Sequence, residues 1–211
     1  MIAVVDYGIG NLRSAEKALV HLGADARLVS DPEAVASASA VVLPGVGAFG
    51  RCAAALRSSG MGAAVREALD RHVPFLGICI GFQLLFEGSE EDPKAVGLGE
   101  LGGVVRLLPP GQKRPQMQWN RLERAACAGE RSRMLAGLGA SPWVYFVHSY
   151  APRPSEECAD AVVATCEYGA TVVAAIENGT LWGTQFHPEK SSRAGLALLG
   201  NFVSAVNGDA K

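Results

Sequence analysis

VPFLGICIGFQLLF, residues 73–86, is the stretch on which the fold turns. An unbroken apolar run, VPFLGI, passes directly into Cys79, and Gly77 and Gly81 flank that cysteine at two residues' distance. Strands that are apolar throughout belong to sheets covered on both faces. A strand that ends in G-x-C-x-G and opens a helix has the layout of a nucleophile elbow, with cysteine in the place of serine. The glycines leave room for a tight turn in which strand and helix approach closely. A helix N-terminus beside Cys79 favours the thiolate, the reactive form, and directs the Ile80 N–H toward a developing oxyanion. A free cysteine is also among the most buried residue types and serves as a small hydrophobe, so the flanking sequence must decide its role.

Working outward, the N-terminal half alternates strands and helices. IAVVD (2–6) reads as a strand ending in a turn at Gly8 and Gly10, followed by the helical LRSAEKALVHLG with Gly23 as its stop. DARLVS gives a second strand, and Ser30 with Glu33 has capping-box spacing around Pro32. AVVLPG (40–45) is a third strand, and Phe49 to His72 is helical with a break near Gly60 and Gly62. The second half reads differently. Segments 102–108, 143–148, 161–166, 171–177 and 181–186 are strand-like with short turns, and 192–206 is a helix with an apolar face. Residues 109–142, rich in Pro, Gly and Arg, read as surface loops. The expected fold is α/β: an open, largely parallel sheet flanked by helices, carrying a nucleophile elbow and an antiparallel extension in the second half.

A chain of 211 residues fits one domain, 1–211, better than two. Its 49% hydrophobic content and net charge of -2 describe an ordinary globular protein without a basic nucleic-acid footprint. No apolar run approaches the roughly 20 residues of a membrane span, and MIAVVDYG lacks the cationic start of a signal peptide. Cys52, Cys79, Cys127, Cys158 and Cys166 are odd in number and have no C-x-x-C spacing, which argues against a disulfide framework or zinc site. A reduced, cytoplasmic protein with neither metal nor cofactor is expected.

If Cys79 is a nucleophile it needs a base. His21 and His72 fall in helical patterns, whereas GTQFHPEK sets His187 at the end of the last strand, ahead of Pro188 and Glu189. In extended chain, side chains two apart project to the same side, so Glu189 can orient the His187 imidazole while its other nitrogen faces Cys79. Nucleophile, base and orienter are then all present.

GICIGFQLLF together with TQFHPEKS closely resembles the class I glutamine amidotransferases. The resemblance implies that Cys79 attacks the glutamine side-chain amide, His187 shuttles the proton and Glu189 holds His187. It further implies that Gln83, Gly45, Ser149 and Tyr150 bind substrate. Val46 and Gly47 of the PGVG turn (44–47) would complete an oxyanion hole with Ile80. DYGIGNLRS (6–14), PGVGAFG (44–50) and MQWN (117–120) look like the glutaminase subunits of imidazole glycerol phosphate synthases. That likeness implies a heterodimer with a (β/α)8-barrel cyclase, with Asn11, Trp119 and Asn120 at the interface. It also implies release of ammonia to the partner for imidazole glycerol phosphate and aminoimidazole carboxamide ribotide formation in histidine biosynthesis. Gln116 and Gln118 depart from the histidine and glycine common there. If the Val46 peptide is turned away at rest, the isolated chain is nearly inactive until the partner's ligand shifts the turn.

Two other readings compete. One is a glutaminase of another pathway, such as anthranilate or pyridoxal phosphate synthesis. The other is a non-enzymatic protein of similar layout that uses Cys79 as an oxidation sensor; such a sensor needs neither HPE nor Gln83.

Overall fold

The computed structural model describes residues 1–126 and 131–208. Its central sheet has eight strands in the order β2-β1-β3-β4-β14-β13-β12-β9. Strands β1 (Ile2–Val5), β2 (Ala26–Val29), β3 (Ala40–Gly45), β4 (Phe75–Cys79) and β14 (Leu181–Thr184) run parallel. The sheet continues antiparallel through β13 (Thr171–Asn178), β12 (Val162–Glu167) and the short β9 (Glu123–Arg124). Every residue of β1, β3 and β4 is buried, as expected of strands covered on both faces.

The crossovers are α1 (Leu12–His21), α2 (Pro32–Ala36) and the pair α3 (Phe49–Ser58) and α4 (Met61–Asp70), which part at Gly60; Gly62 lies inside the second of the pair. Helix α6 (Ser192–Asn207) closes the chain, and its Phe202 meets Trp182 of β14 edge to face at 5.7 Å between ring centroids. Among the described residues no helix is long and apolar enough to cross a membrane.

Several expectations need correction. Asp31, not Ser30, caps α2: its Oδ1 accepts the Glu33 N–H at 3.2 Å, while Pro32 occupies the first turn, where a missing donor costs nothing. The helix after Cys79 is a single turn, α5 (Ile80–Gln83), because the chain swings at once into β5 (Phe86–Ser89). That strand, with β6 (Asp92–Val96), β7 (Leu101–Leu107) and β11 (Tyr150–Pro154), forms a second sheet that the sequence reading only half anticipated. The span 109–142 is not all loop. Gln116–Arg121 is a strand, β8, paired antiparallel with β10 (Trp143–His148). Among the described residues the two strands have no third neighbour, so β8 buries almost nothing on its outer face and lacks the alternation by which a strand is read. Residues 127–130 of that span, Cys127 included, lie outside the described residues.

Candidate active site

Sheet register assembles the centre of the site. Gly45 of β3 pairs with Cys79 of β4, and Thr184 of β14 pairs with Ile78, so the segment after Thr184 runs alongside Cys79. All of this lies at the C-terminal ends of the parallel strands, where open α/β sheets bind their ligands. Cys79 has φ 56° and ψ -108°, a conformation side chains rarely adopt, and it is 2% exposed. The strain is permitted by close approach: a Cβ on Gly81 would lie 1.8 Å from the Leu43 carbonyl oxygen, so α5 packs directly on β3 only because that residue is glycine.

His187 Nδ1 lies 2.8 Å from Glu189 Oε1, and both side chains are 2% exposed. The carboxylate can only accept, so Nδ1 carries the proton and Nε2 is free to act as the base. Burial pushes the His187 pKa down, but the Cys79 sulfur and the Glu189 carboxylate together outweigh it and hold the imidazole above its ordinary value. Nε2 meets no partner in strict hydrogen-bond geometry among the described residues, yet the Cys79 sulfur is near enough that its hydrogen bond and its charge both raise the His187 pKa, the hydrogen bond being the larger of the two.

One member of the site went unnoticed in the sequence. Gln185 is fully buried, donates from Nε2 to Cys79 Sγ at 3.8 Å and accepts from Gln83 Nε2 at 3.0 Å. Its position two residues before His187 was the available signal, since the same side of an extended chain carries both. Gln83 also donates to the Tyr150 carbonyl at 2.9 Å, so its amide N–H groups are committed within the protein and its Oε1 has no partner among the described residues.

The cleft beside these groups has a volume of about 260 Å³. Cys79, Gln83, Ser149, Tyr150 and His187 line it, together with Val46, Gly47 and Ile80. Four further residues on its wall were not expected there: Glu91, the only carboxylate among the described residues that line it, Pro115, Val147 and His148. Glu91 accepts the Phe49 N–H at 2.7 Å and thereby caps α3. His148 Nδ1 lies 2.8 Å from the Tyr150 carbonyl and must donate to it, which leaves Nε2 as an acceptor with no described partner. Burial, reinforced by the charge of His187 and opposed by the Tyr150 bond, pushes the His148 pKa down to about 4.

A stability prediction follows for His148. The unfolded chain takes up its proton near pH 6.5, the folded protein only near 4, so stability falls as pH drops through that window. The shift corresponds to about 3 kcal/mol across the window. Urea unfolding of His148→Gln should show a correspondingly weaker acid dependence between pH 6.5 and 4 than the parent; identical slopes would refute the assignment.

The oxyanion turn is tied at two points. Tyr7 Oη donates to the Pro44 carbonyl at 2.9 Å, and Cys52 Sγ to the Val46 carbonyl at 3.3 Å. Burial raises both pKa values, so both groups remain donors at neutral pH. Neither bond holds the peptide between Gly45 and Val46, whose N–H belongs to Val46. Gly47, at φ 91°, supplies the left-handed residue that ends the turn.

Of the three residues expected at an interface, Trp119 is 45% exposed and meets Tyr145 edge to face. Asn120 points to the opposite face of the β8/β10 ribbon, where its amide donates to the Glu167 carbonyl at 2.9 Å. Asn11 turns its amide inward to Glu189 Oε1 at 3.1 Å.

A strained cysteine elbow, a buried His-Glu pair beside it and an adjoining glycine-bearing turn define a cysteine-dependent amide hydrolase. The family model for class-I glutamine amidotransferases matches residues 3–206, and the chain belongs to that family. More narrowly, the chain is 47% identical over 205 residues to imidazole glycerol phosphate synthase subunit HisH of Moorella thermoacetica, covering 97% of this chain and 95% of that protein. It is 46% identical over 210 residues to the HisH subunit of Methanothermobacter thermautotrophicus, covering 98% and 99%. The solved structure of PurLQS from Thermotoga maritima shares the fold, with a TM-score of 0.72 at 21% identity over 99% of this chain and 97% of that one.

Proposed function

We infer that the chain is the glutaminase subunit of an imidazole glycerol phosphate synthase, folded as one amidotransferase domain and working in the cytoplasm in histidine biosynthesis. The observation that carries the chemistry is the buried His187-Glu189 pair at 2.8 Å beside the strained Cys79.

Cys79 gives its proton to His187 Nε2 and its sulfur attacks the glutamine side-chain carbonyl carbon. The resulting oxyanion is held by the Ile80 N–H, a first-turn helix donor with no intrahelical partner, and by an N–H of the Val46-Gly47 turn. The His187 imidazolium returns the proton to the leaving nitrogen, and ammonia departs as the γ-glutamyl thioester forms. Water, deprotonated by His187, then attacks the thioester; glutamate leaves and the thiol is restored. Glu189 keeps Nδ1 protonated and stabilises the imidazolium in both halves. The wall of the cleft suits an amino acid: Glu91 offers a counter-charge for the α-ammonium, Gln83 Oε1 an acceptor, and Ser149 and Tyr150 further contacts; Gly45, expected to bind substrate, is not on that wall but pairs with Cys79 beside it.

The product ammonia is mostly protonated in open water at neutral pH, so an acceptor site must adjoin the cleft. The β8/β10 ribbon supports docking of a cyclase barrel there. Met117, Trp119 and Trp143, all well exposed, share its outer face with Val147, which also lines the cleft. Exposed aromatic and methionine side chains grouped this way favour a protein partner. The Val46 peptide, which neither the Tyr7 nor the Cys52 bond holds, is the element such a partner would turn to switch the glutaminase on.

The test is co-purification of the cyclase followed by glutamate release with and without its ligand. Stimulated turnover by the complex is expected; a high basal rate of the isolated chain, or a bound synthase of another pathway, would overturn the reading. Trp119→Ala should weaken the complex by about 2 kcal/mol, roughly 30-fold in Kd, while leaving the unfolding midpoint in place.

A further inference from the structure

We propose that Asn11 is a positioning residue of the glutaminase reaction, its side-chain amide fixing the Glu189 carboxylate on His187. The proposal rests on the glutaminase reading above. Glu189 Oε1 accepts two bonds, one from His187 Nδ1 at 2.8 Å and one from Asn11 Nδ2 at 3.1 Å. The orientation of the amide is determined by its neighbours. A carboxylate only accepts, so the NH2 group must face Glu189, and Asn11 Oδ1 accepts from Ser14 Oγ at 2.9 Å. Both ends of the Asn11 amide are therefore held.

The carboxylate needs this second donor. Glu189 sits in a short turn, Pro188–Lys190, its side chain is 2% exposed, and its Oε2 has no partner among the described residues. An ionised carboxylate so placed needs donors for its oxygens. With Asn11 removed, His187 is the single donor left to it among the described residues, and the Glu189 side-chain torsions are freed to carry it off Nδ1. Asn11 does not line the cleft, so it acts on the proton shuttle and not on substrate binding.

The contact joins residues 178 apart in sequence. Asn11 belongs to the segment between β1 and α1, while His187 and Glu189 follow β14 at the far side of β3 and β4. The turn that carries Asn11 is shaped by Gly8 and Gly10, both at positive φ, and Gly8 N–H is held by Asp6 Oδ1 at 3.0 Å. Of the other ionisable side chains on or next to these two segments, Asp6 is engaged in that bond, Tyr7 donates to the Pro44 carbonyl, and Arg13 and Lys190 are exposed.

The experiment compares Asn11→Ala, Asn11→Asp and Ser14→Ala with the parent in the complete complex, at saturating partner and cyclase ligand, with thermal midpoints measured alongside. Asn11→Ala should lower kcat for glutamine by about 10- to 100-fold with KM within about twofold. Ser14→Ala should show a smaller loss in the same parameter. Asn11→Asp supplies the decisive signature. At pH 8 its carboxylate repels Glu189, whereas on protonation its O–H replaces the lost donor. Its kcat relative to the parent should therefore rise at least about fivefold between pH 8 and pH 5.5. An Asn11→Ala enzyme of parental kcat would overturn the proposal. So would a loss that appears in KM or thermal midpoint alone with a pH-independent Asn11→Asp ratio. A parent complex without glutaminase activity would instead remove the reading on which the proposal stands, and the proposal with it.

Discussion

Cys79→Ala should abolish glutamine hydrolysis, lowering kcat by about 10⁴-fold while leaving the fold intact. The cleft wall includes two hydroxyl side chains, Ser149 and Tyr150, but neither stands on the elbow facing His187. Residual turnover would come from the oxyanion donors acting on water. Cys79→Ser keeps the shape of the elbow, yet its hydroxyl is a far weaker acid than a thiol, so most of the loss should remain. Glutamate release by the complex, read beside the thermal midpoint, checks this. Turnover retained within tenfold of the parent would sink the thioester mechanism altogether.

Gly81→Ala should be among the most damaging methyl groups that the described glycines could receive. Its Cβ would stand 1.8 Å from the Leu43 carbonyl oxygen and 2.7 Å from the carbonyl carbon, both backbone atoms of β3. No rotamer change relieves a clash between two main chains, so α5 must lift off the sheet. That motion removes the Ile80 N–H from the oxyanion site and releases the Cys79 turn. A loss of about 3 kcal/mol or more in unfolding free energy is expected, together with loss of glutaminase activity. Gly200→Ala is the control: it lies inside α6, the nearest atom to its new Cβ is 4.0 Å away, and it should stabilise by about 0.5–1 kcal/mol. Equal stability of the two variants would show that the elbow does not depend on the close approach.

Much of this architecture was legible beforehand because parallel strands buried on both faces are written as unbroken apolar runs. IAVV, AVVLPG and FLGIC each became a strand within a residue or two of the expected bounds. The strand Gln116–Arg121 was not legible, since its composition is polar and its pairing depends on β10, more than twenty residues downstream. Ser30 was passed over as a cap because a neighbouring aspartate reached the same backbone donors. The elbow and HPE could each be read locally, as both depend on residues two apart.

What the sequence by itself determined is the set of local conformations and the chemistry they can support: the alternation of strands and helices along the N-terminal half, the cysteine turn, and a histidine with its carboxylate two residues on. Their partners were decided by tertiary structure. Register set Gly45 against Cys79, brought Gln185 to the cysteine sulfur and committed the Gln83 donors to Tyr150 and Gln185. Burial kept His148 neutral, and the meeting of the β1 and β14 ends gave Glu189 its second donor in Asn11. The reason is physical. A turn is selected by steric limits within a few residues, whereas the choice among many possible hydrogen-bond partners is made only when strands lock in register and exclude water from the groups between them.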